Sequence, residues 1–300
     1  MDGILNIYKE KGFTSHDVVA VVRKILQMKK VGHTGTLDPD AEGVLPICVG
    51  RGTKLSDIIM DGRKCYRTVL HLGITTTTED ASGEVLEEKA VIFDEDKISE
   101  AVKRFIGELE QVPPMYSAVK VNGKKLYELA REGKEIERKS RNITVYDIQI
   151  RRFISPCQVE MDVYCSKGTY IRTLCADIGK DLGCGGHMAS LLRIATGGFS
   201  IENAITLTEL KEKMKLGQVE EVLLKLEDVL AGYTKVIVSE KSTKLLYNGA
   251  KIRNNFFRAQ GEIQLNQIVA VFDFEDNLVG LYTVLEEEND FFIKPFKMLI

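Results

Sequence analysis

The chain has no Cys-x-x-Cys pair, although it holds six cysteines, at 48, 65, 157, 165, 175 and 184. Most sit within apolar stretches, the pattern of buried reduced thiols and not of a disulfide framework. Cys184 and His187 form one Cys-x-x-His pair, but a zinc site needs two further ligands and none is suitably spaced, so no metal is expected. No apolar run approaches the ~20 residues of a membrane-spanning helix. The start, Met1-Asp2-Gly3-Ile4-Leu5-Asn6, lacks the cationic opening and apolar stretch of a secretory signal. These absences predict a soluble cytoplasmic protein.

Nor is there an excess of one charge. With 41 Lys and Arg against 44 Asp and Glu the formal net charge is -3, which excludes a uniformly basic surface. The distribution is uneven. Residues 1 to 72 carry 11 cations against 8 carboxylates and residues 113 to 200 carry 14 against 9, whereas residues 73 to 112 carry 4 against 11. The two basic blocks fit a face for a phosphate backbone, and they equally describe ordinary solvated surface.

Several catalytic signatures are missing too. No G-x-x-x-x-G-K-[ST] occurs, and Gly50-Arg51-Gly52-Thr53-Lys54 is too incomplete for a phosphate loop, which argues against an ATPase or kinase. No Ser or Cys occupies a nucleophile elbow, so a hydrolytic triad has little support. Repeats, low-complexity tracts and coiled-coil heptads are absent.

What is present is a chain of 300 residues, 44% apolar, long enough to bury one large core and a smaller one. Residues 3 to 8 read as a strand, and Gly12 breaks it before Ser15 caps a helix with the stripe Val18, Val22, Ile25 and Leu26. Residues 31 to 52, with five glycines and two prolines, read as loop interrupted by short structure. Residues 66 to 74 read as a strand leading into a polar surface turn, Thr75 to Gly83. The pattern then predicts a helix from about Asp96 to Ile106, an extended segment at Pro113-Pro114 and a helix near Leu126 to Arg131. Residues 157 to 165 alternate as a half-buried strand. After Gly168, the spacing of Ile171, Leu174, Cys175, Ile178 and Leu182 is helical, which puts Tyr170 and Arg172 at a helix start and Gly183 at its end. From Lys235, strand-like runs at 235 to 238, 268 to 273, 278 to 284 and 291 to 293 predict a small β-rich domain.

The segment richest in chemistry is Gly32-His33-Thr34-Gly35-Thr36-Leu37-Asp38-Pro39-Asp40-Ala41-Glu42-Gly43-Val44-Leu45-Pro46. Pro39 biases Asp38 toward an extended backbone, which restricts its carboxylate, and the flanking glycines let another chain come close. That suits a fixed nucleophile, and it suits equally well a helix start with Asp38 as cap and Pro39 in the first turn. Asp38, Asp40, Glu42 and Gly43 imitate the start of a calcium loop, but the position for the bidentate Glu is Val49.

The same segment resembles the catalytic motif of TruB-type tRNA pseudouridine synthases, in which the Asp before Pro is essential. Four more stretches are similar in the same order: Lys9-Glu10-Lys11-Gly12-Phe13-Thr14-Ser15, Lys64-Cys65-Tyr66 through Leu72-Gly73, Pro113-Pro114-Met115-Tyr116-Ser117-Ala118-Val119-Lys120, and Ser166-Lys167-Gly168-Thr169-Tyr170-Ile171-Arg172-Thr173-Leu174. Together they span roughly residues 3 to 200, and the tail resembles a PUA-type RNA-binding domain. Two departures stand out: Glu10 replaces the proline usual near the start, and Thr76-Thr77-Thr78 replaces Thr-Asp-Thr after the tyrosine strand.

The resemblance implies an α+β pseudouridine synthase fold with a central, mostly antiparallel mixed sheet flanked by helices and loops. A catalytic domain over residues 1–230 would precede a PUA-like domain over 233–300. It implies isomerisation of uridine 55 in the T loop of tRNA without a cofactor, by a monomer, after extrusion of the base from its stack. Asp38 would be the nucleophile, Arg172 its bidentate partner, and Tyr66 would stack on the uracil where the C5 proton is removed. His33, Tyr170 and Leu191 match nucleotide-contacting positions, and Lys9, Lys29, Lys30, Lys64 and Lys167 are candidate phosphate contacts. A tRNA-binding folding chaperone is the alternative function. A metal-dependent nuclease on Asp38, Asp40 and Glu42 ranks far below both.

Overall fold

The computed structural model describes residues 1–300 apart from Ala118, Asn122, Glu135, Ser155, Glu288 and Asn289, and of Lys120, Lys125 and Arg131 the backbone only. Ala118 and the side chain of Lys120, both part of the Pro113 to Lys120 motif, thus lie outside the described residues.

Alternation along Lys64–Leu72 buries Tyr66, Thr68, Leu70 and Leu72 on one face and leaves Arg67, Val69 and His71 half-buried on the other. This strand lies inside a ten-stranded sheet whose order is Leu223–Leu224, Gly3–Lys9, Glu42–Val49, Gly186–Thr196, Lys64–Leu72, Gln158–Cys165, Arg141–Ile154 and Gly107–Gln111. Val31–His33 pairs with Glu42–Val49, and Phe199–Ser200 with Gly186–Thr196. Among the described residues the strand pairs of this sheet are antiparallel except one: Leu192 and Arg193 run parallel to Glu42 and Gly43. The fold is α+β, with the site described below at that parallel junction.

Helix Ser15–Leu26 is capped by Thr14, one residue before the expected cap. The Thr14 side chain accepts from the Asp17 N–H while the Asp17 carboxylate accepts from the Thr14 N–H, which satisfies donors the helix cannot. Val18, Val19, Val22 and Leu26 pack on Leu5, Ile7, Leu45 and Ile47, each such side chain contributing roughly 1.5–3 kcal/mol when fully buried. A second core lies between the sheet and helix Ile171–Asp181, where Leu174, Cys175 and Ile178 meet Leu70, Val159, Met161 and Val163. All six cysteines are free and four are buried.

Two expectations need correction. Residues 42 to 49, read as loop, form a buried strand between Gly3–Lys9 and Gly186–Thr196. Pairing overrides the glycine and proline signals here. Gly43 adopts φ +108 where the Arg193 backbone comes close, and Pro46, which has no N–H, still accepts from the Thr34 N–H. The turn Thr75 to Gly83 is not merely surface: Ile74–Thr76 pairs with Val85–Glu88, and the tip folds inward so that Glu79 and Asp80 lie against helix Ile171–Asp181.

A six-stranded sheet built from Lys235–Val238, Ile252–Arg253, Phe257–Ala259, Ile268–Phe272, Leu278–Glu287 and Asp290–Met298 forms the β-rich C-terminal domain. Ala270, Phe272, Leu281 and Leu299 join Ile4, Val44, Cys48 and Leu55 in one cluster, so the two sheets share a core. No helix among the described residues is long and apolar enough to cross a membrane.

Candidate active site

Asp38 lies on a loop pinned from several sides. The Ser15 hydroxyl accepts from the Leu37 N–H at 2.9 Å, the Lys9 ammonium donates to the Pro39 carbonyl at 3.1 Å, and the Gly12 N–H donates to the same carbonyl at 2.9 Å. The buried guanidinium of Arg193 reaches the carbonyls of Gly35, Thr36 and Val44. A loop so held keeps its carboxylate in one place, the condition for a preorganised group.

The Asp38 carboxylate meets the Arg172 guanidinium at 3.1 Å. Arg172 is only 5% exposed whereas Asp38 is 45% exposed, so the cation is buried and the carboxylate it meets is open to solvent. Burial by the surrounding protein, with Asp80 and Asp40 adding to it, lifts the Asp38 carboxyl above its ordinary range, and Arg172 and Lys9 oppose the rise. Arg172 also donates to the carbonyls of Tyr116 at 2.8 Å and Thr78 at 3.4 Å and faces the Asp80 carboxylate at 3.6 Å. One planar fork thus joins the helix start, the Tyr116 segment and the Thr78–Asp80 turn. The turn is fixed in its own right: the Thr173 hydroxyl donates to Glu79 at 2.6 Å, and Glu79, at φ +61, is raised by burial despite that bond.

Tyr66 is 8% exposed, on the same face of its strand as Thr68 and Leu70. Directly opposite, in the antiparallel register, stands Arg193, and Leu191 stands opposite Thr68 on the same face, packed against the core. Burial raises the Tyr66 phenol above its ordinary value, and the positive charge of the Arg193 guanidinium only partly opposes the rise. His33 accepts from the Gly35 N–H at its Nδ1 (3.2 Å) and meets the His16 ring edge-on at 5.2 Å. Burial, His16 and Arg193 together lower its pKa, which favours the neutral ring. Tyr170 caps helix Ile171–Asp181, its backbone clamped at both ends by the Gln111 side-chain amide.

The structure therefore brings Asp38, Arg172, Tyr66, His33 and Leu191 around one end of the parallel junction, with Tyr170 beside Arg172. The lysines divide. Lys9 is fully buried and its ammonium donates to the carbonyls of Glu10, Phe13 and Pro39; burial lowers it to about 8. Lys64 is likewise buried, bonded to the Met60 and Gly62 carbonyls and lowered to about 8 by burial. Buried, with all three donors of Lys9 and two of Lys64 given to backbone carbonyls, these two are not placed at the surface where a phosphate would lie, contrary to the expectation from sequence. Lys29, Lys30 and Lys167 are exposed, Lys167 paired with Asp61 at 2.7 Å.

Two residues of the site were not singled out from sequence. Asp80 looked like part of a solvated turn, although an acidic pair within a polar turn a few residues after a buried strand was a usable signal. Arg193 follows two leucines in Ser190-Leu191-Leu192-Arg193, and a cation inside an apolar strand marks a buried charge. Among the described residues no group of three or more His, Cys, Asp or Glu side chains is arranged to hold a metal ion.

Ionisable groups shifted by burial and gathered at one place in a fold point to an enzyme. Residues 23–171 match the TruB family pseudouridylate synthase (N terminal domain), and residues 172–233 match the tRNA pseudouridylate synthase B C-terminal domain. The chain is 52% identical to the tRNA pseudouridine synthase B of Alkaliphilus oremlandii over 300 residues, covering 100% of this chain and 99% of that one. It is 46% identical to that of Clostridium perfringens, again over 100% and 99%. Among solved structures, a Cbf5-Nop10-Gar1 complex contains a chain that is 29% identical with TM-score 0.77, covering 99% of this chain and 85% of that one. An H/ACA RNP bound to a substrate RNA containing 2'-deoxyuridine contains one 26% identical with TM-score 0.76 and the same coverage. The chain belongs to the TruB family of pseudouridylate synthases. It is an isomerase.

Proposed function

We propose that this enzyme converts uridine 55 in the T loop of tRNA to pseudouridine, with Asp38 as nucleophile. The observation that carries the reading is the 3.1 Å contact between a buried Arg172 and a solvent-accessible Asp38. The guanidinium keeps the carboxylate ionised and aimed while leaving one side open to a nucleotide. tRNA as substrate is supported by the relatives named tRNA pseudouridine synthase B.

The reaction breaks the N1–C1' bond, turns the uracil and joins C5 to C1', so nothing is oxidised and no cofactor is required. A base inside a folded loop must first be extruded, at a cost of a few kcal/mol of stacking. The neutral His33 ring at the cleft rim is suited to fill the vacancy, while Tyr66 and Leu191 line the wall that receives the uracil and Tyr170 flanks Arg172. Asp38 attacks and forms a covalent intermediate, which divides one hard step into two. Tyr66 accepts the proton that leaves C5. Residues 1–230 form the catalytic domain, residues 233–300 serve as a PUA-like RNA-binding module, and the enzyme acts in the cytoplasm as a monomer.

The test is to incubate a tRNA transcript with wild type or Asp38→Asn in buffer alone and map modified uridines. Wild type should modify position 55 alone, and the variant should bind tRNA without modifying it. Activity retained by Asp38→Asn would remove the assigned nucleophile, and modification elsewhere would remove the assigned target.

A further inference from the structure

Arg193 is the largest of the fully buried side chains, 1% exposed, and among the described residues no carboxylate lies within ion-pair distance of it. Arginine stays protonated in proteins, and a buried cation without an anion is costly, so its persistence in the fold needs a reason. Its donors reach three carbonyls: Val44 at 2.7 Å, Gly35 at 3.3 Å and Thr36 at 3.5 Å. These carbonyls flank Asp38 on both sides. Its strand neighbours are equally pointed. Tyr66 stands opposite it in one direction and Gly43 in the other, where a Cβ would lie 2.2 Å from the Arg193 carbonyl.

We propose that Arg193 is a positioning residue for the isomerisation, a buried cation whose missing counter-charge is the phenolate of Tyr66, and which locks that phenol and the Asp38 loop into one frame. The inference rests on the reading of Tyr66 as the acceptor of the C5 proton. Once C5 has joined C1', C5 carries both the ribosyl group and its original hydrogen. The C5–H bond breaks and its electron pair restores the C5–C6 double bond while the C6–N1 π pair returns to N1; the proton passes to the Tyr66 oxygen, and N1 takes a proton from solvent. A neutral phenol cannot accept that proton, and a phenolate in a buried wall needs a cation beside it. Arg193 supplies one that carries no competing carboxylate. Burial opposes the ionisation of Tyr66 most strongly, and Cys165, from the neighbouring strand, and Asp38 oppose it as well. Arg193 is therefore the group that favours it. Arg172, by contrast, already serves Asp38 and Asp80.

The experiment compares wild type, Arg193→Lys and Arg193→Met in single-turnover assays on a tRNA transcript carrying hydrogen or deuterium at C5 of the target uridine. Phenolate absorbance is titrated in parallel against Tyr66→Phe; the chain contains no tryptophan to obscure it. The expected result has three parts. Arg193→Met loses about 10-fold or more in rate at neutral pH, recovers part of it as pH rises, and shows a larger deuterium effect than wild type because C5 deprotonation has become limiting. Tyr66 ionises at higher pH in Arg193→Met than in wild type. Arg193→Lys, which keeps the charge, falls between the two and is the decisive variant if Arg193→Met melts early. A rate loss with unchanged deuterium effect and unchanged Tyr66 titration would reduce Arg193 to scaffolding and overturn the proposal, as would an unchanged rate. If wild type forms no pseudouridine, the functional reading fails by itself, and the absorbance titration still judges the pairing of Arg193 with Tyr66.

Discussion

Arg172 stands 3.1 Å from Asp38 and 3.6 Å from Asp80, so a single buried guanidinium is shared by two carboxylates on different loops. The sharing explains why the Thr78–Asp80 turn folds inward: it completes the surroundings of a cation that would otherwise be half paired. Arg172→Lys replaces a fork by a point charge and cannot reach both. Its turnover should fall ~10²- to 10³-fold, the loss typical of one preorganised charge-stabilising donor, with tRNA affinity nearly unchanged. Filter binding beside single-turnover rates checks the split.

Asp80→Asn removes the second carboxylate but spares the first. Losing one charge-assisted contact of ~1.5 kcal/mol corresponds to about a 10-fold slower reaction. A variant as inactive as Asp38→Asn would mean that Asp80 does more than orient Arg172.

Burial lifts the Asp38 carboxyl, so its proton is held more tightly in the folded chain than in the unfolded one. An ionised nucleophile is needed, and the rate should therefore drop on acidification at a higher pH than a free aspartate would give. Stability moves the other way. Ionised Asp38 costs the fold free energy above that raised pKa, and the cost disappears as pH falls through it. Asp38→Asn should thus melt no lower than wild type at neutral pH, and calorimetry of the two proteins decides.

Lys9 offers a test of burial against electrostatics. Since its ammonium serves three carbonyls and no surface, Lys9→Met should lower the melting temperature without altering the salt dependence of tRNA binding. Lys167→Ala, at an exposed position, should leave stability nearly unchanged; if Lys167 meets a phosphate, the salt slope drops by about one.

Gly43 and Gly12 separate steric from conformational cost. Both have positive φ, but a Cβ at Gly43 meets the Arg193 carbonyl at 2.2 Å whereas Gly12 faces open space. Gly12→Ala should cost about 1–2 kcal/mol. Gly43→Ala should yield little folded protein, as denaturant melts of the soluble fraction would reveal.

Helix Ser15–Leu26 and helix Ile171–Asp181 were legible because their apolar stripes and caps are local. So were strand Lys64–Leu72 and the short strands after Lys235, and the motifs around Asp38, Tyr66 and Arg172 pointed to their residues before any contact was visible. What stayed hidden was set by distant partners. Strand Gly186–Thr196 lies between Glu42–Val49 and Lys64–Leu72 at the centre of the sheet, yet Gly186, Ser190 and Arg193 blur its alternation. Its meaning depends on pairing with residues more than a hundred positions earlier. Lys9 and Lys64 read as phosphate ligands because a formal charge says nothing of depth. Asp80 could be placed only by Arg172.

The cluster in which Ile4, Val44 and Cys48 touch Phe272, Leu281 and Leu299 has a kinetic side. Closing contacts nearly the whole sequence apart costs chain entropy before any burial repays it. The strand that leaves the Asp38 loop thus stays exposed on one flank until the last β-hairpin arrives, and nascent or truncated chains should aggregate through that flank.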